Sequence, residues 1–246
     1  MKTYYKKAIV SGHVIEIYQY EKPVYSDYEL NKIRQHEGRR QEASEDNREK
    51  CSNRAARTVR RLVNSNIAIN SKFLTLTFAD HVTDLKKANY EFKKFKQRFE
   101  YYLGVRIKYL CVPEFTKKGR IHYHVVLFNL PFVKNKTLQS IWSNGFIKIN
   151  KIDNCDNVGA YVSKYMTKDN EQMIEEKSYF TSRNLEKPLE IVNEKEIEIL
   201  ADSLSPTDVV YLNSFVNDYL GLVNYTQYNI KEQVKLNNIN PIEVNW

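Results

Sequence analysis

Between residues 67 and 169 the spacing of hydrophobic positions changes several times, and each change predicts a new element. Lys72–Phe78 (KFLTLTF) alternates large apolar residues with threonine, which is typical of a strand. Over residues 84–103 the apolar side chains recur at steps of three and four, which predicts a helix with one buried face. These apolar positions are Leu85, Ala88, Phe92, Phe95, Phe99 and Leu103.

The segment that follows this helix predicts an antiparallel sheet. Residues 106–115 and 120–128 both have strand character, and the turn-forming residues 116–119 separate them, so we expect the two strands to pair. A short helix over residues 138–143, a strand over 145–152 and helical spacing over 159–168 complete this region. The order of elements predicts an α+β fold in which helices flank a mainly antiparallel central sheet.

The flanking regions carry weaker patterns. Residues 8–10 and 13–18 predict a hairpin around Ser11-Gly12, and the charged segment 27–65 is compatible with helix apart from Gly38. Near the other end, Ser205-Pro206 predicts the start of a helix over 207–220, and residues 222–228 resemble a strand. We therefore expect three regions: an N-terminal hairpin and basic helical segment (1–66), a core (67–169) and an acidic C-terminal region without an assigned role (170–246).

Charge is unevenly distributed along the 246 residues. Residues 1–169 hold 32 Lys and Arg against 17 Asp and Glu, a net of +15, whereas residues 170–246 have a net of −7. A basic region of this kind is expected to meet a polyanion. On a helix, four arginines would form one cationic stripe suited to DNA phosphates, although an exposed helix without a ligand is an equally good interpretation. They are Arg54, Arg57, Arg60 and Arg61.

Other features of the sequence favour a cytoplasmic protein. No run of about 18 apolar residues exists, and the lysine-containing start lacks a long apolar stretch, so neither a membrane span nor a secretory signal is expected. The three cysteines are scattered without C-x-x-C spacing, which argues against a disulfide framework or a cysteine zinc site.

Two histidines are candidates for metal binding. In the predicted strand IHYHVVLF, His122 and His124 project from the same face because side chains alternate along a strand. Two neutral imidazoles on one side can share a metal ion, but paired histidines are also common as hydrogen-bonded structural residues. Glu114 ends the preceding strand, and the hairpin would bring it near the histidines as an oxygen ligand suited to Mg²⁺ or Mn²⁺.

A tyrosine and lysine cluster follows in the last predicted helix of the core. Tyr161, Lys164 and Tyr165 are spaced so that all three lean to one side, and Lys168 lies a turn beyond. Tyrosines at this spacing usually pack in a core. A phenol attacks phosphorus only when a neighbouring cation or base favours phenolate, and Lys164 is the local candidate for that cation.

Taken in order, FLTLTF (73–78), GRIHYHVVLF (119–128) and YVSKY (161–165) resemble the three motifs of the His-hydrophobic-His endonucleases. The set is most similar to replication initiators of rolling-circle plasmids and small single-stranded DNA phages. The resemblance implies that His122 and His124 hold a divalent metal. It also implies that Tyr161 attacks a DNA phosphodiester, leaving a 5′-phosphotyrosine and a free 3′-hydroxyl, and that Tyr165 is a possible second nucleophile.

The partners follow from this resemblance. The chain contains no G-x-x-x-x-G-K-[ST] motif, so we expect a host helicase and polymerase to act with it on single-stranded or hairpin origin DNA. Three alternatives stay open. They are a transposase or mobilisation relaxase with the same chemistry, a phosphodiesterase that activates water, and a non-catalytic protein that binds single-stranded nucleic acid by charge and stacking.

Overall fold

The computed structural model describes residues 3–25, 45–152, 158–164 and 178–230, which belong to two compact units. The central unit is Glu49–Glu186, and the terminal unit combines Met1–Arg48 with Lys187–Trp246. The division differs from the predicted boundaries at residues 66 and 169, because the basic helix belongs mostly with the core and both chain ends contribute to one unit. Among the described helices, none is long and apolar enough to cross a membrane.

The central unit is built on a five-stranded sheet with every neighbouring pair antiparallel. Its strands are β3 (Lys72–Phe78), β4 (Lys108–Phe115), β5 (Ile121–Phe128), β6 (Gly145–Lys151) and β7 (Phe180–Thr181), in the spatial order β6-β3-β5-β4-β7. Its helices are α1 (Glu45–Asn66), α2 (Leu85–Leu103), α3 (Asn135–Trp142) and α4 (Val158–Ser163). The predicted α+β arrangement with an antiparallel sheet is therefore confirmed.

Helices α2 and α3 cover one face of this sheet. The apolar stripe predicted for residues 84–103 lies buried against the sheet, with Asp84 as the helix N-cap and Gly104 at its left-handed C-cap. Tyr123, between the two histidines, belongs to this face and donates a hydrogen bond to Asn89 Oδ1 at 2.6 Å. The central residue of the His-x-His segment is thus a core residue.

Helices α1 and α4 pack against the opposite face. Val59 and Val63 of α1 and Val158 and Val162 of α4 form a second core with Phe73 and the neighbouring strands. Both histidines of β5 belong to this face, since they alternate with Tyr123. The basic helix and the tyrosine helix therefore lie on the histidine side of the sheet.

The terminal unit is a second antiparallel sheet, made from both ends of the chain. It contains β1 (Thr3–Ser11), β2 (Val14–Tyr25), β8 (Leu189–Ile191), β9 (Val209–Asn217) and β10 (Gly221–Asn229), ordered β8-β1-β2-β10-β9. Helix α5 (Glu194–Asp202) places Ile197 and Leu200 on Ala8, Ile15 and Ile191. The predicted hairpin is confirmed, and the predicted strand over 222–228 lies within β10.

The helix predicted over residues 207–220 is wrong. Ser205 does form a capping box with Asp208, but it opens a single 3-10 turn, Pro206–Asp208. The chain then continues as β9, whose sequence VVYLNSFVN is rich in β-branched and aromatic residues. Pairing with β10 and these strand preferences prevail over the local helix-start signal.

Candidate functional site

The pairing of β4 with β5 places Glu114 beside the two histidines. Glu114 is directly opposite His122, and Val112 is opposite His124. Directly paired residues of an antiparallel sheet project on the same face, so all three candidate ligands share the face that α1 and α4 cover. This juxtaposition is the one expected from the hairpin turn at residues 116–119.

His124 is buried and has a hydrogen-bonding partner at each ring nitrogen. Its Nε2 lies 2.5 Å from Glu114 Oε2, and its Nδ1 lies 3.4 Å from Thr75 Oγ1. Both His124 and Glu114 are at least nine-tenths buried. A buried carboxylate and imidazole that satisfy each other in this way are held in fixed orientations.

His122 is half-buried, and its charge state is set by three influences. Burial lowers the pKa of His122 below its ordinary value, the negative charge of Glu114 raises it, and the positive charge of Arg120 lowers it, with burial the largest of the three. The neutral imidazole is therefore favoured at neutral pH. A neutral ring is the form that binds a metal ion.

These side chains have the donor chemistry of a divalent metal site. Two imidazoles and a carboxylate are ligands for Mn²⁺, and the oxygen ligand also suits Mg²⁺. Within the described ranges no three acidic, histidine or cysteine side chains are grouped as a preformed metal cage. The Glu114–His124 contact instead satisfies two of the candidate ligands with each other, so metal binding would exchange this hydrogen bond for two coordinate bonds.

An aromatic side chain connects the histidines with the tyrosine helix. The Phe73 ring stacks on the His124 ring with centroids 5.7 Å apart, and it meets the edge of the Tyr161 ring at 5.5 Å. Phe73 is buried, whereas Tyr161 is 45% exposed. Tyr161 is thus held near the histidine face with its ring partly open to solvent, and it is not a fully buried packing residue.

The position of α4 depends on a close contact with α1. Gly159 N donates to Asn64 Oδ1 at 3.1 Å, and a Cβ atom added to Gly159 would lie 2.3 Å from the carbonyl oxygen of Arg60. Only glycine permits this approach of the two helix backbones. Burial of Val158 and Val162 on either side then fixes which face of α4 carries Tyr161.

The remaining candidate residues occupy several environments. Lys164 follows α4 and is exposed, whereas Tyr165 and Lys168 lie outside the described residues. Of the α1 stripe, Arg54 and Arg57 are exposed, and Arg60 and Arg61 are half-buried with interactions of their own. The four arginines therefore do not form one uniformly open cationic surface.

Sequence reasoning missed the part that β3 plays in the site. The threonines of FLTLTF pair directly with the histidines, Thr75 with His124 and Thr77 with His122. On the far side of β3, Thr77 also pairs with Phe146 of β6. Alternation in KFLTLTF shows that the threonines share a face, but only the strand register shows that it is the histidine face.

Comparison with known proteins adds an independent observation. Residues 71–170 match the family of replication-associated proteins that includes ORF2, and this stretch contains all three motifs. The Phasyl DNA replicon protein arp of Escherichia coli is 35% identical over 44% of this chain and 46% of its own length, so the chain aligns with about half of that relative. No solved structure shows significant similarity. In its central unit the chain is therefore similar to proteins of DNA replication.

Proposed function

We propose that this chain is a rolling-circle replication initiator that nicks and rejoins single-stranded origin DNA through a covalent tyrosine intermediate. The observation that carries the proposal is the convergence of His122, His124, Glu114 and Tyr161 on one face of one sheet, with Phe73 in contact with His124 and Tyr161. The similarity to replication proteins favours replication over transposition or mobilisation as the setting of this chemistry.

In this proposal His122, His124 and Glu114 would hold Mg²⁺ or Mn²⁺. When bound, the ion supplies electrostatic polarisation of the scissile phosphate. Thr75 keeps the His124 ring oriented through Nδ1, and the buried surroundings of His124 and Glu114 limit competition from water. The protein side chains thus prepare the phosphate position before the tyrosine acts.

The covalent step transfers the phosphodiester from DNA to protein. The Tyr161 oxygen, having lost its proton, attacks phosphorus; the bond from phosphorus to the 3′-oxygen breaks, and that oxygen takes up a proton. The 5′-phosphate is then esterified to tyrosine. Because the phosphodiester is exchanged rather than hydrolysed, a 3′-hydroxyl can later attack the same phosphorus and release Tyr161.

Lys164 and Tyr165 have secondary roles in the proposal. Lys164, one step after α4, would stabilise negative charge on the phosphate in the transition state. Tyr165 would attack a second junction after one round of synthesis and so release a circle. Strand separation and synthesis would come from a host helicase and polymerase.

The test uses single strands of the DNA that encodes the chain, supplied as overlapping synthetic oligonucleotides. Each is labelled at the 3′ end in one series and at the 5′ end in another, and incubated with the full chain and Mn²⁺. We expect the 3′ label to migrate with the protein on a denaturing gel, and the 5′ label to appear in a shorter free fragment with a 3′-hydroxyl. EDTA should abolish both products.

Each alternative gives a different pattern in the same assay. Cleavage that leaves both labels on free DNA would indicate attack by water and overturn the tyrosine mechanism. Binding without any cleavage of any oligonucleotide, with either metal, would identify a non-catalytic binding protein. Attachment of the 5′ label to protein would reverse the proposed polarity of attack.

A further inference from the structure

A cavity of about 550 Å³ lies at one end of the central sheet, beside the proposed catalytic face. It is bounded by the end of β3, the first half of α2 and the junction between α3 and β6. Its chemically distinctive lining residues are Phe78, Asp80, Lys87, Glu91, Asn144 and Phe146. Nothing in the reaction proposed above uses this cavity.

Strand register connects the cavity with the histidines. Phe146 pairs with Thr77, and Thr77 pairs with His122, so these three residues form one row across β6, β3 and β5. Two interstrand spacings put the Phe146 backbone about 10 Å from that of His122. The Phe146 side chain lies on the histidine face, and it is 67% exposed where the row meets the cavity.

The floor of the cavity is held by close backbone contacts. Ala79 N donates to Asn144 O at 2.8 Å, and Gly145 has a positive φ of 149°. A Cβ atom at Gly145 would lie 2.3 Å from Thr77 O, so β6 begins in direct contact with β3. Asn144 Nδ2 donates to Glu91 Oε2 at 3.2 Å, which fixes one wall. The cavity is therefore a formed feature of the fold.

The lining distinguishes between the parts of a nucleotide. A phosphate would meet two carboxylates, Asp80 and Glu91, against the single ammonium group of Lys87. A neutral base avoids this repulsion and can stack on the exposed Phe146 ring. The carboxylates accept hydrogen bonds from exocyclic amino groups, which adenine, cytosine and guanine carry and thymine lacks.

We propose that this cavity binds a nucleobase of the single-stranded substrate, close to the scissile phosphate, and discriminates against thymine. The inference rests on the proposed function for its substrate class. Phe146 supplies the stacking surface, and Asp80 supplies a carboxylate acceptor in addition to Glu91, which Asn144 already engages. The result is a specificity-determining subsite within a nucleotide or two of the His122 row.

Binding is measured with short oligo-dC and oligo-dT in EDTA, by fluorescence anisotropy on the full chain, so that no cleavage is required. We expect wild type to prefer oligo-dC. Phe146→Ala should weaken binding of both about tenfold, whereas Phe146→Tyr, which keeps the ring, should bind like wild type. Asp80→Asn should reduce the dC-over-dT preference, because the amide loses one acceptor oxygen.

The matched control is Phe132→Ala, since Phe132 is 89% exposed in the central unit but lies away from the cavity. The subsite is overturned if Phe146→Ala behaves like Phe132→Ala, or if Asp80→Asn leaves the dC-over-dT ratio unchanged. These results are independent of the nicking assay. Loss of base discrimination with intact adduct formation would reject only the subsite, and the converse would reject only the covalent chemistry.

Discussion

Thr75 places a hydroxyl beside His124 Nδ1 and can serve either tautomer of that ring. Without metal, Nε2–H donates to the Glu114 carboxylate and Nδ1 accepts from the threonine hydroxyl. With metal on Nε2, the ring proton resides on Nδ1 and donates to the same oxygen. The hydroxyl thereby allows His124 to exchange Glu114 for a metal without losing its orientation.

Replacing Thr75 with valine should weaken Mn²⁺ binding about tenfold, because the isosteric side chain removes the partner of Nδ1. Isothermal titration of the full chain with Mn²⁺ measures this directly. Thr77→Val, the same change two residues along β3, is the control. Equal Mn²⁺ affinity for Thr75→Val and wild type would remove Thr75 from the site.

The charge on Glu114 should be visible in the titration of His122. In metal-free protein, NMR should give a pKa for His122 below 6.5, because burial outweighs the effect of Glu114. Since Glu114 raises this pKa, Glu114→Gln should lower it further and widen the pH range in which the ring is neutral. A pKa that rises in Glu114→Gln would contradict the arrangement of charges described above.

At the level of elements, the contact of α4 with α1 decides where Tyr161 lies. Gly159→Ala would force the helices apart, since its new methyl group would overlap the Arg60 carbonyl. We expect a loss of about 1–3 kcal/mol in the free energy of unfolding, measured with denaturant, together with loss of the covalent adduct.

Gly104→Ala is the control for this change. Gly104 ends α2 with a φ of 68°, and a Cβ atom there meets nothing within 4 Å. The control should cost backbone strain of about 1–2 kcal/mol but leave adduct formation intact. Full adduct formation by Gly159→Ala would show that the close helix contact does not position the tyrosine.

The elements whose packing is local could be predicted from the sequence. Alternation in β5 separates His122 and His124 from Tyr123, and the three- and four-residue spacing in α2 identifies its buried face. Register could not be predicted in the same way. The pairing of Thr75 with His124 depends on how β3 aligns with β5, across almost fifty residues of sequence.

For the whole molecule, the sheet of the terminal unit is the feature that local patterns do not reveal. Strand β2 pairs with β10, and β1 pairs with β8, so segments about 180 to 200 residues apart form one sheet. The helix-start signal at Ser205 is valid locally but is followed by a strand, because β9 gains a full ladder with β10. Long-range pairing of this kind leaves no periodic trace within either segment.

The charge of the molecule should be apparent in its salt dependence. Arg54 and Arg57 are the exposed members of the α1 stripe, so Arg54→Glu with Arg57→Glu should weaken single-strand binding and reduce the slope of log K against log salt by about 1.4. Lys134→Glu with Lys136→Glu changes the net charge equally on exposed residues at α3 and should alter the slope less. If both pairs change the slope equally, binding depends on overall charge and not on this stripe.

The most direct measurement is covalent capture of a 3′-labelled strand by the Tyr161→Phe variant. This change keeps the ring that meets Phe73 and removes only the attacking oxygen, so the variant should fold and bind DNA like wild type but form no protein-linked label. Tyr165→Phe, measured in parallel, should still form the initial adduct. A labelled adduct in Tyr161→Phe at the wild-type level, or its disappearance in Tyr165→Phe alone, would contradict Tyr161 as the nucleophile.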